Sequence, residues 1–462
     1  MRSPRVSTVA GGAFALWGLG VGLERLHDNS YLTHVATGRL ILAHGVPTTD
    51  PYTFTAHGRP WVVESWLAEV LYRVVELAWG AHGLQVLHGL LCLALGALGW
   101  VLTRPARQLP GRIIAAAGLL AVGTGYWSSR PLLMALALFA VLIVMVENET
   151  GPPWAVVPLM WLWVQVHGSW PFALAYLVLR LAGRRADGKP PGPVPRILGF
   201  AVGGAALGAL NPVGPRLVAY PLTVLTHHQA FSKIAEWQSP NFSDPVNVVF
   251  LAMVLLAVIL LVARRGTIED ALVLTLFSGA ALAASRNVPV AALVVTPVLA
   301  RGVAGLGTLD GTERGVGAGA VLVVLAALGF VMAAGALRHP AYDLSAYPVA
   351  EVTWMQDHGL VPGRVAAPDY VGNYLEWRYG TGAHVFVDDR VDIFPSAVIG
   401  DYDVLLGGEQ AWKSVLARYR FTAVLWPRNE PLASLVAEDP AWSVRVLDRH
   451  WLVAVPSHPA GR

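Results

Sequence analysis

Val9-Ala10-Gly11-Gly12-Ala13-Phe14-Ala15-Leu16-Trp17-Gly18-Leu19-Gly20-Val21-Gly22-Leu23, followed at once by Glu24-Arg25-Leu26-His27-Asp28-Asn29, is the stretch on which the fold turns. An uncharged run behind Arg2 and Arg5 has the outline of a secretion signal. No small-residue cleavage site follows it; charged residues come directly, so it reads as a retained first transmembrane helix. Outward from it the pattern repeats. Apolar runs fall near 82–102, 111–127, 131–146, 153–167, 170–183, 197–211, 246–263, 268–285, 287–304 and 315–337, with short charged punctuation between them. Several are shorter than the ~20 residues a perpendicular helix needs, so tilt or buried helix ends are expected.

The composition agrees. Of 462 residues, 55% are apolar and 14% charged, and the mean hydropathy is +0.52. A soluble chain carries ~25% charged residues, so a water-facing surface is excluded for most of this one. The single cysteine, Cys92, excludes a disulfide scaffold. The 17 Trp and 13 Tyr suit many membrane–water interfaces. A net charge of +3 arises from scattered Arg rather than a basic patch, so no nucleic-acid partner is read.

Orientation follows from the Lys/Arg bias. Arg2 and Arg5, Arg104, Arg107 and Arg112, Arg184, Arg185, Lys189 and Arg196, Arg264 and Arg265, and Arg301 and Arg314 all fall on one side of an eleven-span arrangement. That side is expected to be cytoplasmic. The N-terminus is then inside, and the 24–81 loop and the C-terminal region are outside. Glu147 and Glu149 fall on the inner side with no basic neighbour in sequence. No pair of halves with corresponding broken helices is visible, which weakens a transporter reading.

The long first outer loop holds two amphipathic stretches, with Val35, Leu40 and Leu42 in one and Trp66, Leu67, Val70 and Leu71 in the other, that fit helices lying along the membrane face. From about 338 onward polarity becomes ordinary. Arg364–Pro368, His384–Asp388 and Phe421–Trp426 read as short strands, 443–447 and 450–455 as a hairpin, and helical patterns lie between them. The expectation is a small α/β domain with a largely parallel sheet and no Gly-rich phosphate loop or nucleophile elbow. Its acidic run, Asp388-Asp389-Arg390-Val391-Asp392, sits where α/β ligands gather, although Arg390 already offers a partner.

Several segments carry a resemblance. They are Gly38-Arg39-Leu40-Ile41, Gly45-Val46-Pro47, Asp50-Pro51-Tyr52-Thr53-Phe54-Thr55, Glu64-Ser65-Trp66-Leu67, Arg130-Pro131, Gln165-Val166-His167-Gly168-Ser169, Asn211-Pro212-Val213-Gly214, Glu236-Trp237 and Arg286-Asn287-Val288-Pro289. Behind a first helix that ends in an acidic residue, they resemble an uncharacterised bacterial branch of the GT-C superfamily of membrane glycosyltransferases. Protein O-mannosyltransferases and aminoarabinose transferases belong to that superfamily. The resemblance covers most of residues 1–300.

It implies a polytopic α-helical membrane domain (1–337, including the 24–81 loop) and an accessory extracytoplasmic α/β domain (338–462). It implies a donor sugar on a polyprenyl phosphate, an acceptor on the outer face of a bacterial cytoplasmic membrane, and a catalytic base at the start of the first outer loop. Asp28 occupies that place, with Asn29 where the mannosyltransferases carry a second acid. Such a transfer needs a carboxylate to take the acceptor's proton and cations to steady the leaving phosphate. Glu64 is the second candidate base, ahead of Asp50, which an Asp-Pro turn also explains. Arg130 and Arg286, each at an outer helix junction, are the phosphate candidates. His167, Glu236, Trp237 and Asp50 are substrate-binding candidates. His227 and His228 with Glu236 could ligate a metal, but adjacent histidines rarely point at one ion, so no metal or other cofactor is assigned and a divalent ion stays open. Two rival readings remain: a transporter or flippase for a lipid-linked saccharide, and a non-catalytic scaffold of envelope-polysaccharide assembly.

Overall fold

A computed structural model describes residues 5–226, 235–307, 309 and 317–457; His227 and His228 lie outside them. The described chain is mostly helical, with one small sheet. It divides into two compact units. The first gathers Met1–Leu26, Val74–Thr223 and Ser232–Tyr342; the second is mainly His27–Arg73 with Asp343–Arg462.

In the first unit every apolar run becomes a helix: α1 (Val6–Gly22), the later part of α3 (Trp66–Leu102), α4 (Leu109–Tyr126), α5 (Leu132–Glu147), α6 (Val156–Val166), α7 (Pro171–Ala186), α8 (Val194–Leu207), α10 (Pro245–Ala263), α11 (Ile268–Ala283), α12 (Val288–Gly302) and α13 (Ala318–Ala336). A further helix, α9 (Pro215–Thr226), follows Asn211-Pro212. Among the described residues, four helices are long and apolar enough to cross a bilayer: Trp66–Ala106, Leu109–Tyr126, Pro245–Ala263 and Ala318–Ala336. Proline stands in the first turn of α4, α7, α8, α10 and α12, where its missing N–H is one the helix never uses. Asp244 and Thr267 cap α10 and α11 through their side chains, accepting from Val246 N and Asp270 N at 2.9 and 3.1 Å.

α3 is interrupted at Gly80, whose φ of 65° lies in the left-handed region that glycine alone enters without strain. Beyond the break α3 packs on α1 through small residues. A Cβ at Gly18 would stand 2.2 Å from the carbonyl oxygen of Cys92, so only glycine permits that approach.

Glu147, alone in sequence, is not alone in the fold. Its carboxylate meets Arg180 at 3.2 Å and Arg301 at 2.5 Å, and accepts from Tyr176 at 3.0 Å. Arg301 also grips Asp270, and Arg180 lies 2.9 Å from Glu269. Glu149 meets Arg184 at 3.4 Å. Glu147 is neutralised by Arg180 of α7 and Arg301 of α12, in a buried cluster that α11 completes with Glu269 and Asp270.

The second unit contains α2 (Asn29–His44), the start of α3, and α14 (Val349–Asp357), α15 (Asp369–Tyr379), α16 (Ser396–Gly407), α17 (Trp412–Tyr419) and α18 (Pro431–Glu438) around β1 (Val365–Ala366), β2 (Ala423–Pro427), β3 (Trp442–Leu447) and β4 (Trp451–Pro456). The strand order is β1-β2-β4-β3. Only β1 and β2 run parallel, so the sheet is mixed rather than largely parallel. The cause is the hairpin: the turn through Asp448-Arg449-His450 can only return an antiparallel partner, and β4 pairs with β2. Residues 384–388, expected as a strand, instead bridge the first outer loop, Val385 pairing with Thr53. Tyr52, Trp61, Phe386, Trp426 and Leu452 share the core there, so the loop is part of this unit's interior.

Candidate functional site

The polar residues form separate groups within each unit. In the first unit, the turn Ala235–Trp237 docks on the turn Ser285–Asn287: Ser285 N donates to Gln238 O at 2.8 Å and Ser285 Oγ to Glu236 O at 3.2 Å. That docking brings four of the expected residues together. Arg130 is ion-paired with Glu236, and the Arg286 guanidinium sits 4.4 Å from the centre of the Trp237 ring. Tyr126, just before the Arg130 junction, donates to Asn247 at 2.6 Å. His167 ends α6 and accepts from Ser169 N through Nδ1 at 3.1 Å, while Trp163 Nε1 donates to Ser169 Oγ at 3.1 Å. It is buried in this turn at the end of its helix.

In the second unit, Asp28 immediately precedes α2 with extended backbone angles and makes no side-chain capping bond. Glu64 is half-buried ahead of α3. Asp50 is fully buried. Its Oδ2 accepts from Thr53 N at 3.0 Å and Thr53 Oγ1 at 2.6 Å, and its Oδ1 from Arg390 at 2.8 Å. That is the Asx turn its sequence suggested, with an ion pair added, and it occupies both oxygens. Arg390 also clasps Asp388, through Nε at 3.1 Å and Nη2 at 2.5 Å, and stands 3.4 Å from Glu376. Its guanidinium lies between the rings of Trp61 and Tyr52, 4.4 and 5.1 Å from their centres. Burial, then the Asp388 charge, push the Glu376 carboxyl well above its ordinary value, and the shared arginine only partly opposes them.

Sequence reasoning passed over a second pair in this unit. His34 Nδ1 lies 2.8 Å from Glu69 Oε1, joining α2 to α3. Gly38 makes the approach possible, because a Cβ there would stand 2.1 Å from the Glu69 carbonyl. Burial pulls the imidazolium down, but the Glu69 hydrogen bond and charge, helped by Asp389 and Glu64, leave its pKa raised. The available signal was Glu69 itself, a lone acid inside Trp66-Leu67-Ala68-Glu69-Val70-Leu71. Among the described residues no group of three acids, histidines or cysteines is arranged to hold a metal ion.

No family model matches the chain, and no curated protein matches its sequence. Its structure is similar to that of the oligosaccharyltransferase of Archaeoglobus fulgidus, crystallised tethered by a disulfide bond to an acceptor peptide containing the NVT sequon. The TM-score is 0.53 at 12% identity, over 90% of this chain and 68% of that one. The likeness is one of fold.

Proposed function

We propose that this protein is an integral-membrane glycosyltransferase that moves a sugar from a polyprenyl-phosphate-type donor to an acceptor on the outer face of a bacterial cytoplasmic membrane. The observation that carries the reading is the GT-C fold shared with an oligosaccharyltransferase along 90% of the chain. In this reading the eleven helices that cover the apolar runs span the bilayer, the N-terminus is cytoplasmic, and residues 338–462 form an extracytoplasmic accessory domain.

The reaction is a single displacement. The acceptor hydroxyl oxygen attacks the anomeric carbon, the bond from that carbon to the phosphate oxygen breaks with its electrons, and the acceptor's proton passes to a base. Configuration at the anomeric carbon inverts. Asp28 is the base by position, at the head of α2, with Glu64 second. Arg130 and Arg286 supply positive charge for the leaving phosphate, which would compete with Glu236 for Arg130 and sit beside the Trp237 ring. Glu236, Trp237, His167 and Asp50 remain substrate-binding proposals, with Asp50 acting through Arg390 rather than by direct contact.

The test is transfer by purified protein in proteoliposomes supplied with polyprenyl-phosphate mannose or glucose and a bacterial envelope fraction. The expected result is release of polyprenyl phosphate coupled to sugar incorporation on the outer face. Passage of the intact lipid across the bilayer without release would overturn the reading in favour of a flippase, and neither activity would favour a scaffold.

A further inference from the structure

A cavity of about 290 Å³ lies wholly within the second unit, between α2 and the C-terminal end of α15. One stripe of α2 supplies Ala36, Arg39, Leu40 and Ala43, at the three- and four-residue spacing that shares a helix face. The opposite wall is Trp377-Arg378-Tyr379, and α15 ends there at Gly380, whose φ of 58° favours glycine. His44 and Thr381 also line the cavity and are exposed, so it opens to solvent. Its size is at the low end for small-molecule sites and suits a ligand of about one sugar residue.

The lining is positively charged. Arg39 Nη1 donates to the Trp377 carbonyl at 2.8 Å, and its guanidinium stands 5.6 Å from the centre of the Trp377 ring. Arg378 donates to Tyr374 Oη at 2.9 Å, to Thr353 Oγ1 at 3.2 Å and to Gln356 Oε1 at 3.3 Å. Those partners carry no charge, so they fix the guanidinium without neutralising it. The Tyr379 ring lies beside it, 5.7 Å from centre to guanidinium. Glu376 is the one acid in the lining, and the burial and Asp388 charge that push its carboxyl up favour its neutral form. Guanidinium groups take carboxylate and phosphate oxygens in pairs. Aromatic rings next to them offer apolar surface to the C–H face of a pyranose while its polar edge meets the arginines.

We propose that this cavity binds an acidic sugar residue of a glycan, with its anionic group on Arg378 beside Arg39 and its ring against Trp377 and Tyr379. Hexuronates and sugar phosphates share that chemistry. The inference does not depend on the transfer reaction: it assigns no base and no leaving-group contact, and it is measured without a donor.

The experiment is isothermal titration of the full chain in nanodiscs with glucuronate, galacturonate, glucose 6-phosphate, glucose and inorganic phosphate. Expected is saturable binding of a uronate or of the sugar phosphate, with Kd on the order of 0.1–10 mM. It should weaken as ionic strength rises, and glucose and inorganic phosphate should each bind at least ~10-fold more weakly. Binding of uronates alone would point to a carboxylated glycan, and of glucose 6-phosphate alone to a phosphorylated one. R378Q should lower the affinity by ~10–100-fold. R418Q, which removes an exposed arginine paired with Asp401 elsewhere in the unit, should leave it unchanged. T381E sets a carboxylate at the exposed rim and should also abolish binding; it decides the matter should R378Q not fold. Absence of binding by every acidic sugar, glucose or inorganic phosphate binding as tightly as they do, or an unaltered affinity in folded R378Q or in T381E would overturn the assignment.

Discussion

Glu376→Gln should stabilise the second unit, and by an amount that grows with pH. Glu376 lies fully buried on α15, accepting from Thr33 Oγ1 at 2.8 Å and standing 3.4 Å from an arginine that is shared with Asp50 and Asp388. One guanidinium cannot neutralise three carboxyls, and the least costly arrangement keeps a proton on Glu376, whose pKa is raised well above normal by burial and by Asp388. The sign follows from proton counting. A group whose folded pKa exceeds its unfolded value binds the extra proton in the folded state, so its contribution is full below the unfolded value near 4.5 and is lost as pH rises toward the folded one. The loss is about 1.4 kcal/mol for each pH unit over which the folded protein alone stays protonated. Glutamine has the size of the protonated acid, can donate to Asp388, and carries nothing to titrate. Wild type and variant should therefore melt alike near pH 4.5 and diverge between pH 5 and 7, the variant higher by ~2–4 °C for each kcal/mol. Intrinsic-fluorescence melts of detergent-solubilised protein at one scan rate, taken at half-unit pH steps, read the difference directly. A gap that stays constant with pH, or a variant that falls further below wild type as pH rises, would refute the reasoning.

In the buried cluster of the first unit, Glu147→Ala leaves Arg180 and Arg301 short of their shared partner, and the cost should be ~3–5 kcal/mol, seen as a lower melting temperature. Gly18→Val drives a methyl-bearing carbon toward the Cys92 carbonyl, 2.2 Å from where a Cβ would stand, and should cost more than the ~1–3 kcal/mol of ordinary overpacking, with loss of folded yield in detergent as the readout. Trp237→Ala removes the ring beneath Arg286; if that arginine steadies the donor phosphate, donor KM should rise while the melting temperature moves by only ~1–2 °C, and an unchanged KM would remove the pair from the site. Thr33→Val deletes the hydroxyl that donates to Glu376 and should cost ~1–2 kcal/mol at neutral pH, measured in the same melts.

Much of the architecture was legible because its physics is local. Uncharged runs bounded by Arg, Pro and Gly became helices to within a few residues, as in Pro245–Ala263 against the expected 246–263. The helices Val349–Asp357 and Asp369–Tyr379 fall close to 350–358 and 371–378, where apolar spacing puts them. Residues 384–388 failed as a strand because their partner is Thr53 in a distant loop, which no spacing within the segment could announce. The parallel sheet failed for the same reason: alternation marks a strand but not its neighbour, and the hairpin brought β4 in antiparallel beside β2.

The candidate residues divide along the same line. Arg130, Glu236, Trp237 and Arg286 were chosen as charged or aromatic residues at helix junctions, and the docking of two turns joins them. Asp50 kept its turn role, but the arginine that buries it lies far along the chain. His34 was missed because nothing near it in sequence sets it apart; it acquires meaning only when α2 lies against α3 and Glu69 arrives.

The sequence by itself determined that this is a helical membrane chain, roughly where its apolar helices lie, and which residues would be costly to leave in an apolar setting. Transfer free energy and backbone hydrogen bonding act residue by residue, so those features can be read from composition and spacing. Only the tertiary structure decided how each costly charge is satisfied: Glu147 by two arginines from α7 and α12, three carboxyls by Arg390, and His34 by Glu69. Coulombic and hydrogen-bond interactions depend on distance through space, and apart from Asp388 beside Arg390 the partners in these clusters lie from 14 to 340 residues apart along the chain.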